Sequence, residues 1–373
     1  MGSQNSYMDV IFDNASDWLI VEGNDCINCE GKTFNIDNSS SAKQIGTSFS
    51  QRSYGAASMV GSEWTDLVCV TLQACISDFE FFLISEQEGL KSNVDGVLGL
   101  SRNKPFFQNL ELGIKRGPSY MLALENAGLI SENTFSFYLA PFGEESTIDF
   151  GAPKDDRMAD PSQLTYISLN HDYFWSTECD GFAIGSTENQ WAWGSIKGEE
   201  GTINKGAVYS IFDTGASAII FPSAFFGNFL KELYNEMSGD EYELSKGYVV
   251  SKCYNDFPNL YFNFNHEWIA VEPKDYVIDV SDSQDRSICV LLLSQGEAPF
   301  LIMGLPLYMD YYTVHDDTNN RIGFAPRSGA NKEAIFSGPK PRRVFESTSP
   351  SDPIVNIWSW IISGFIVFSF IGL

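Results

Sequence analysis

Basic side chains are scarce in this 373-residue chain. Lysine and arginine number 23 against 49 aspartates and glutamates, a net charge of −26 at pH 7. A surface of that sign repels phosphate backbones and the anionic cytoplasmic leaflet, which argues against a nucleic-acid partner. The acid excess fits a solvated surface, and it equally fits an acidic compartment where protonation relieves self-repulsion. Histidine is scarcer still. His171, His266 and His315 are scattered, and Cys26-x-x-Cys29 has no second pair of its spacing. A structural zinc site takes four such ligands, so no metal is expected, and no cofactor is expected either. No charged stretch followed by an apolar core opens the chain, so no signal peptide is read there. MGSQNS fits the loose myristoylation pattern at Gly2 and Ser6, but cytosolic acylation conflicts with a disulfide-bonded, translocated domain.

What the chain does have is aromatic and apolar material for a large core: 29 Phe, 16 Tyr and 8 Trp, at a length that suits two lobes. Seven cysteines pair by spacing into local bridges, Cys26–Cys29, Cys69–Cys75 and Cys253–Cys289, leaving Cys179 over. Half a zinc site or a redox pair is the alternative for Cys26 and Cys29. The Gly-, Asn- and Ser-rich stretch after Cys29 favours structural bridges in an oxidising compartment. Residues 354–373 contain no charge and are long enough, at about 1.5 Å per helical residue, to cross a hydrocarbon core of roughly 30 Å. They read as a hydrophobic membrane helix or as a GPI-attachment signal. Residues 329–353, rich in Lys, Arg, Pro and Ser, read as a polar stalk leading to it.

Short alternating runs punctuated by Gly and Pro predict a mostly β protein. Residues 8–23 and 208–222 each read as strand, tight turn, strand, while 118–128 and 223–236 carry helical patterns. A long-period repeat organises the chain. An apolar strand runs into Asp13-Asn14-Ala15-Ser16, and Val97-Leu98-Gly99 follows. A second runs into Asp213-Thr214-Gly215-Ala216, and Ile302-Met303-Gly304 follows. The aspartates stand 200 residues apart and the glycines 205 apart, so two matched elements recur in order at nearly one offset. Duplicated lobes are expected, 1–165 and 166–328, joined near 161–170.

One Asp on a turn is ordinarily a turn-former. Two at symmetric positions can be brought face to face, where like carboxylates cannot both ionise and share one proton. The charged member can then deprotonate a water while the protonated one donates to a carbonyl oxygen.

FDTGAS at 212–217, DGVLGLS at 95–101, FLIMG at 300–304 and YYTVHDDTNNRIGFAP at 311–326 jointly resemble the pepsin-like eukaryotic aspartic proteases. The resemblance covers nearly residues 1–326. It implies a bilobed pepsin-like fold with pseudo-twofold symmetry, to which the hydrophobic C-terminal helix is added. Asp13 and Asp213 are the implied catalytic pair, and SYGAASMVG at 53–61 looks like the flap, with its tyrosine at Tyr54. Ser16, Thr214 and Gly215 are implied to line the substrate site. The chain would then begin inside the mature domain, with GSQ at residues 2–4 in place of the family's Gly-Thr-Pro turn. Expected partners are polypeptide substrates and, through the tail, a membrane of the secretory or endolysosomal system or the cell surface, with the protein a monomer.

This chain departs from the family pattern in its first loop. Asp213-Thr214-Gly215 is intact, but the first triplet is Asp13-Asn14-Ala15. Asn14 offers an amide where a threonine hydroxyl normally ties the two loops. Ala15 adds a methyl where glycine allows close approach. Restoring Thr and Gly at these two positions is expected to raise turnover. Ala216 offers Asp213 no hydroxyl, which should raise that carboxyl's pKa. Ile20 stands in place of the tryptophan that partners the flap tyrosine. The alternative to an acid-active endopeptidase is a weakened or inactive peptide-binding module. Two sequons differ in meaning: Asn14-Ala15-Ser16 lies in the site and should stay unmodified, whereas Asn38-Ser39-Ser40 suits a glycan.

Overall fold

The computed structural model describes residues 1–347 apart from 55–56, 72–73, 91–93, 103–114, 142–143, 196, 199–200, 203–205, 240, 246 and 282–286. The hydrophobic segment 354–373 lies outside the described residues. Among the described residues no helix is long and apolar enough to cross a membrane.

The two repeat units fold alike. In the first, β1 (Val10–Asp13) and β2 (Leu19–Ile27) flank β3 (Gly96–Gly99), parallel on one side and antiparallel on the other. In the second, β4 (Val208–Phe212) and β5 (Ile219–Pro222) flank β6 (Leu301–Met303) in the same two senses. The strands are rich in β-branched and aromatic residues that suit a pleated surface buried on both faces. Asp13 pairs with Gly99, and the backbone N–H of Asp213 donates to Met303 O at 3.0 Å. Gly99 is required here. A Cβ on it would stand 2.6 Å from the backbone of Asp17 and Trp18, so only glycine lets the strand pass behind the Asp13 loop.

Strands Lys43–Tyr54 and Ala57–Thr71 form a long hairpin in the first unit's sheet, with Tyr54 paired to Ala57 beside its tip. The expected helices are present as Tyr120–Asn126 and Ser223–Asn235. The second buries Phe225, Phe226, Phe229 and Leu233, a spacing that puts them on one face. A five-stranded sheet draws on both halves of the chain. It runs Thr147–Phe150, Thr134–Tyr138, Tyr311–Asp316, Arg321–Pro326 and Thr165–Ser168, so the segment expected to link the lobes is an edge strand. All three bridges form, and Cys179 is buried and free.

One expectation fails. Over its described part, the supposed polar stalk is a strap bound to the second unit. Phe336 and Ser337 pair with Trp268 and Glu267, and Val344 and Phe345 run parallel to Ala192 and Trp193. Phe345 is buried edge-on against Phe182, and Lys332 forms a buried ion pair with Asp275. The polar composition of 329–353 concealed these widely spaced anchors, Ile335 among them.

Candidate active site

Asp13 closes a half-buried strand, Asp213 follows directly on a largely buried one, and each folds its carboxylate back onto the turn that follows. Asp13 Oδ1 accepts from Ala15 N–H at 2.8 Å, and Asp213 Oδ1 accepts from Gly215 N–H at 2.7 Å. These are matching Asx turns, which is why an aspartate at that position forms the loop and stays oriented. The two carboxyls lie close enough for each to alter the other's titration. A Cβ on Gly215 would lie 2.7 Å from Asp13 Oδ1 and 3.1 Å from Asp213 Oδ1, so glycine is what allows the pair to close over that loop.

Both aspartates are more than nine-tenths buried. Loss of solvent raises the Asp13 carboxyl above its ordinary range, against the opposing pull of Ser16 and the Ala15 and Ser16 N–H groups. The Ser16 hydroxyl has no partner in strict hydrogen-bond geometry, so its contribution is a weak one. Asp213 is raised well above its ordinary range, first by burial and then by the charge of Asp13. Its Oδ2 takes no donor among the described residues. The environment is therefore asymmetric, and the pair is suited to hold a single proton.

Asn14 proves to be a working tie. Its Oδ1 accepts from Thr214 N–H at 2.8 Å, its own N–H donates to Thr214 Oγ1 at 3.2 Å, and Thr214 Oγ1 donates to Phe12 O at 2.8 Å. The Asn14 amide nitrogen lies 3.0 Å from Tyr308 Oη and 2.9 Å from His315 Nε2. Asn14 is wholly buried, and Asn38 is exposed. Ala15 places its methyl among Tyr173, Phe174, Ala216 and Phe300.

Tyr54 is set by register beside the hairpin tip, and its side chain lies outside the described residues. Beneath that hairpin Ile20 packs with Trp18, Ala57 and Met59, and the Arg52 guanidinium stacks over Trp18 at 4.2 Å while pairing with Glu63 at 2.5 Å. An indole thus sits under the hairpin two residues before the position where one was expected. The sequence reading missed Trp18, Arg52, Tyr308 and His315. It also missed Arg116, whose guanidinium faces the Tyr173 ring at 5.4 Å and feels the charge of Asp17. One signal was available: a buried Asn14 brings two amide protons that require acceptors, and His315 lies in a strand of the same core.

A family model described as eukaryotic aspartyl protease matches residues 1–327. Gastricsin of Mus musculus is 26% identical over 332 residues, covering 85% of this chain and 76% of the relative. Cathepsin D of Dictyostelium discoideum is 27% identical over 342 residues, covering 87% and 81%. Probable vacuolar protease A of Arthroderma benhamiae is 26% identical over 335 residues, covering 87% and 76%. With the matched model spanning both aspartate loops and the sheet that joins them, this chain belongs to the eukaryotic aspartyl protease family.

Proposed function

We propose that the chain is an endopeptidase in which Asp13 and Asp213 share one proton and activate a water for attack on a peptide carbonyl. The observation that carries this reading is the pair of buried carboxyls meeting at Gly215 and braced by Asn14 and Thr214. The ionised member takes a proton from water, and the protonated member donates to the carbonyl oxygen as it gains charge. The products are a carboxylic acid and an amine, with no covalent intermediate. Thr214 and Gly215 hold the second loop, Ser16 stands behind Asp13, and Tyr54 is assigned to the flap over the substrate. The lobes are assigned to 1–165 and 166–328, and the strap beyond them to the second. Acidic conditions suit a pair that must keep one proton.

Residues 354–373 are assigned to membrane attachment, as a helix or a GPI signal, with the lobes on the luminal or outer face. The apolar length of that segment and the three disulfides support this. A monomer acting on polypeptides in the secretory or endolysosomal system, or at the cell surface, is the resulting picture. The Ala15 methyl in the first loop favours the second reading, a peptide-binding module of low activity. Peptide cleavage between pH 3 and 7, with and without pepstatin, separates the two. Pepstatin-sensitive turnover lost in both Asp13→Asn and Asp213→Asn supports the protease, and pepstatin binding without turnover supports the module.

A further inference from the structure

We propose that His315 is a positioning residue for the Asp13–Asp213 pair, acting through Asn14 as a neutral imidazole whose Nε2 accepts a hydrogen bond. The argument begins at Thr214. Its backbone N–H points at the Asn14 side chain at 2.8 Å, and only the amide oxygen can accept it. That contact fixes which way the amide faces, so the NH2 group must point away from Thr214. There it meets Tyr308 Oη at 3.0 Å and His315 Nε2 at 2.9 Å. Two N–H bonds need two acceptors, and these are the two groups within reach. Nε2 must therefore carry a lone pair, and the ring proton must reside on Nδ1.

The position of Nδ1 supports a selected arrangement over incidental packing. It is buried and has no partner among the described residues, a standing cost. The ring lies flat on Phe135 at 4.5 Å and meets Trp175 edge-on at 4.9 Å and Phe137 at 5.5 Å. A phenyl ring would fill that slot without an orphaned N–H. What a phenyl could not do is accept from Asn14. Around the ring, Phe135, Phe137 and Trp175 are uncharged, Ile322 is its cross-strand neighbour, and Tyr308 is the one titratable group facing it among the described residues. Burial in that setting pushes the imidazole down to about 3, so it stays an acceptor through the acid range. With the amide held at its far end, Asn14 cannot flip, and the tie that lies one residue from each aspartate stays made.

The effect on turnover rests on the protease reading, but the tautomer does not. Nitrogen-15 NMR of the wild-type protein at pH 5 should show His315 neutral, protonated at Nδ1 and hydrogen-bonded at Nε2. His315→Phe should lower kcat by roughly 10- to 100-fold with KM little changed, the signature of misplaced catalytic groups. His315→Gln, whose amide oxygen can accept, should recover most of that loss. In an Asn14→Thr background there is no NH2 to satisfy, so His315→Phe should cost about threefold or less. If the protein turns over no peptide, the same four-way comparison is read as pepstatin affinity by calorimetry. A ring protonated at Nε2 at pH 5, or an equal His315→Phe loss in both backgrounds, overturns the proposal.

Discussion

Thr214 and Asn14 hold each other reciprocally across the lobe junction. The side chain of each accepts from the backbone N–H of the other, at 2.8 and 3.2 Å, and the Thr214 hydroxyl spends its own proton on Phe12 O. One hydroxyl and one amide thus join two loops that are 200 residues apart. Thr214→Val keeps the shape and removes the hydroxyl, leaving a buried N–H and a buried carbonyl short of partners. Stability should fall by about 1–3 kcal/mol in urea denaturation, and kcat by roughly 10- to 100-fold. Thr214→Ser should keep both near wild type. A valine variant with unaltered kcat would show that the tie does not position the aspartates.

The carboxyl pair makes both activity and stability depend on pH. Both aspartates are raised, Asp213 the more, so the folded state binds protons that the unfolded chain has released at the same pH. Their stabilising contribution is therefore present in acid, and it is lost as pH rises from the ordinary carboxylate range through the folded value of Asp213. Turnover should follow a bell with its acid limb above the range of a free aspartate. Asp213→Asn should flatten the fall in melting temperature on the alkaline side. Identical melting curves for variant and wild type between pH 4 and 8 would rule out the raised pKa.

The repeat that made the site legible was a matter of order and spacing. Asp13 pairs with Gly99, Phe212 just before Asp213 pairs with Met303 just before Gly304, and the flanking apolar runs became β1 to β6 as expected. Cysteine spacing was informative for Cys26–Cys29 and Cys69–Cys75, which are 3 and 6 residues apart and bridge locally, and less so for Cys253–Cys289, 36 apart. Asn14 illustrates the limit. Which substituent completes a tie depends on what lies around it in space, and Tyr308 and His315 come from the far end of the chain. The tie that a threonine at 14 would supply is already made through the asparagine amide, the substitution its side chain allowed. The strap was misread because composition over a window counts charges and prolines, whereas docking depends on three or four anchors.

His315 should oppose the aspartates in the acid range. Its folded pKa of about 3 lies below the 6.5 of a free imidazole, so the unfolded chain binds the extra proton. Stability from this group is full above pH 6.5 and is lost as pH falls toward 3, by an amount on the order of 4–5 kcal/mol. The melting temperature of His315→Phe relative to wild type should therefore rise steadily as pH drops across that window. Parallel curves would mean the imidazole is not held neutral.

The strap offers a test of where the folded unit ends. Lys332 is buried with Asp275, and that carboxylate also accepts from Glu272 N–H at 2.7 Å. Removing the ammonium leaves a buried carboxylate without its counter-charge, so Lys332→Ala should cost about 3–5 kcal/mol. Joint replacement, Lys332→Met with Asp275→Leu, removes both charges and should regain most of that loss. Further along, Phe345 fills a slot between Phe182 and Trp191, and Phe345→Ala should cost about 3–5 kcal/mol. A chain stopped after residue 347 should therefore melt as the full chain does. One stopped after residue 327 should melt lower by roughly 10 °C, since several kcal/mol are removed at once. Equal melting of the two truncations, measured by circular dichroism, would return residues 328–347 to the status of a loose stalk.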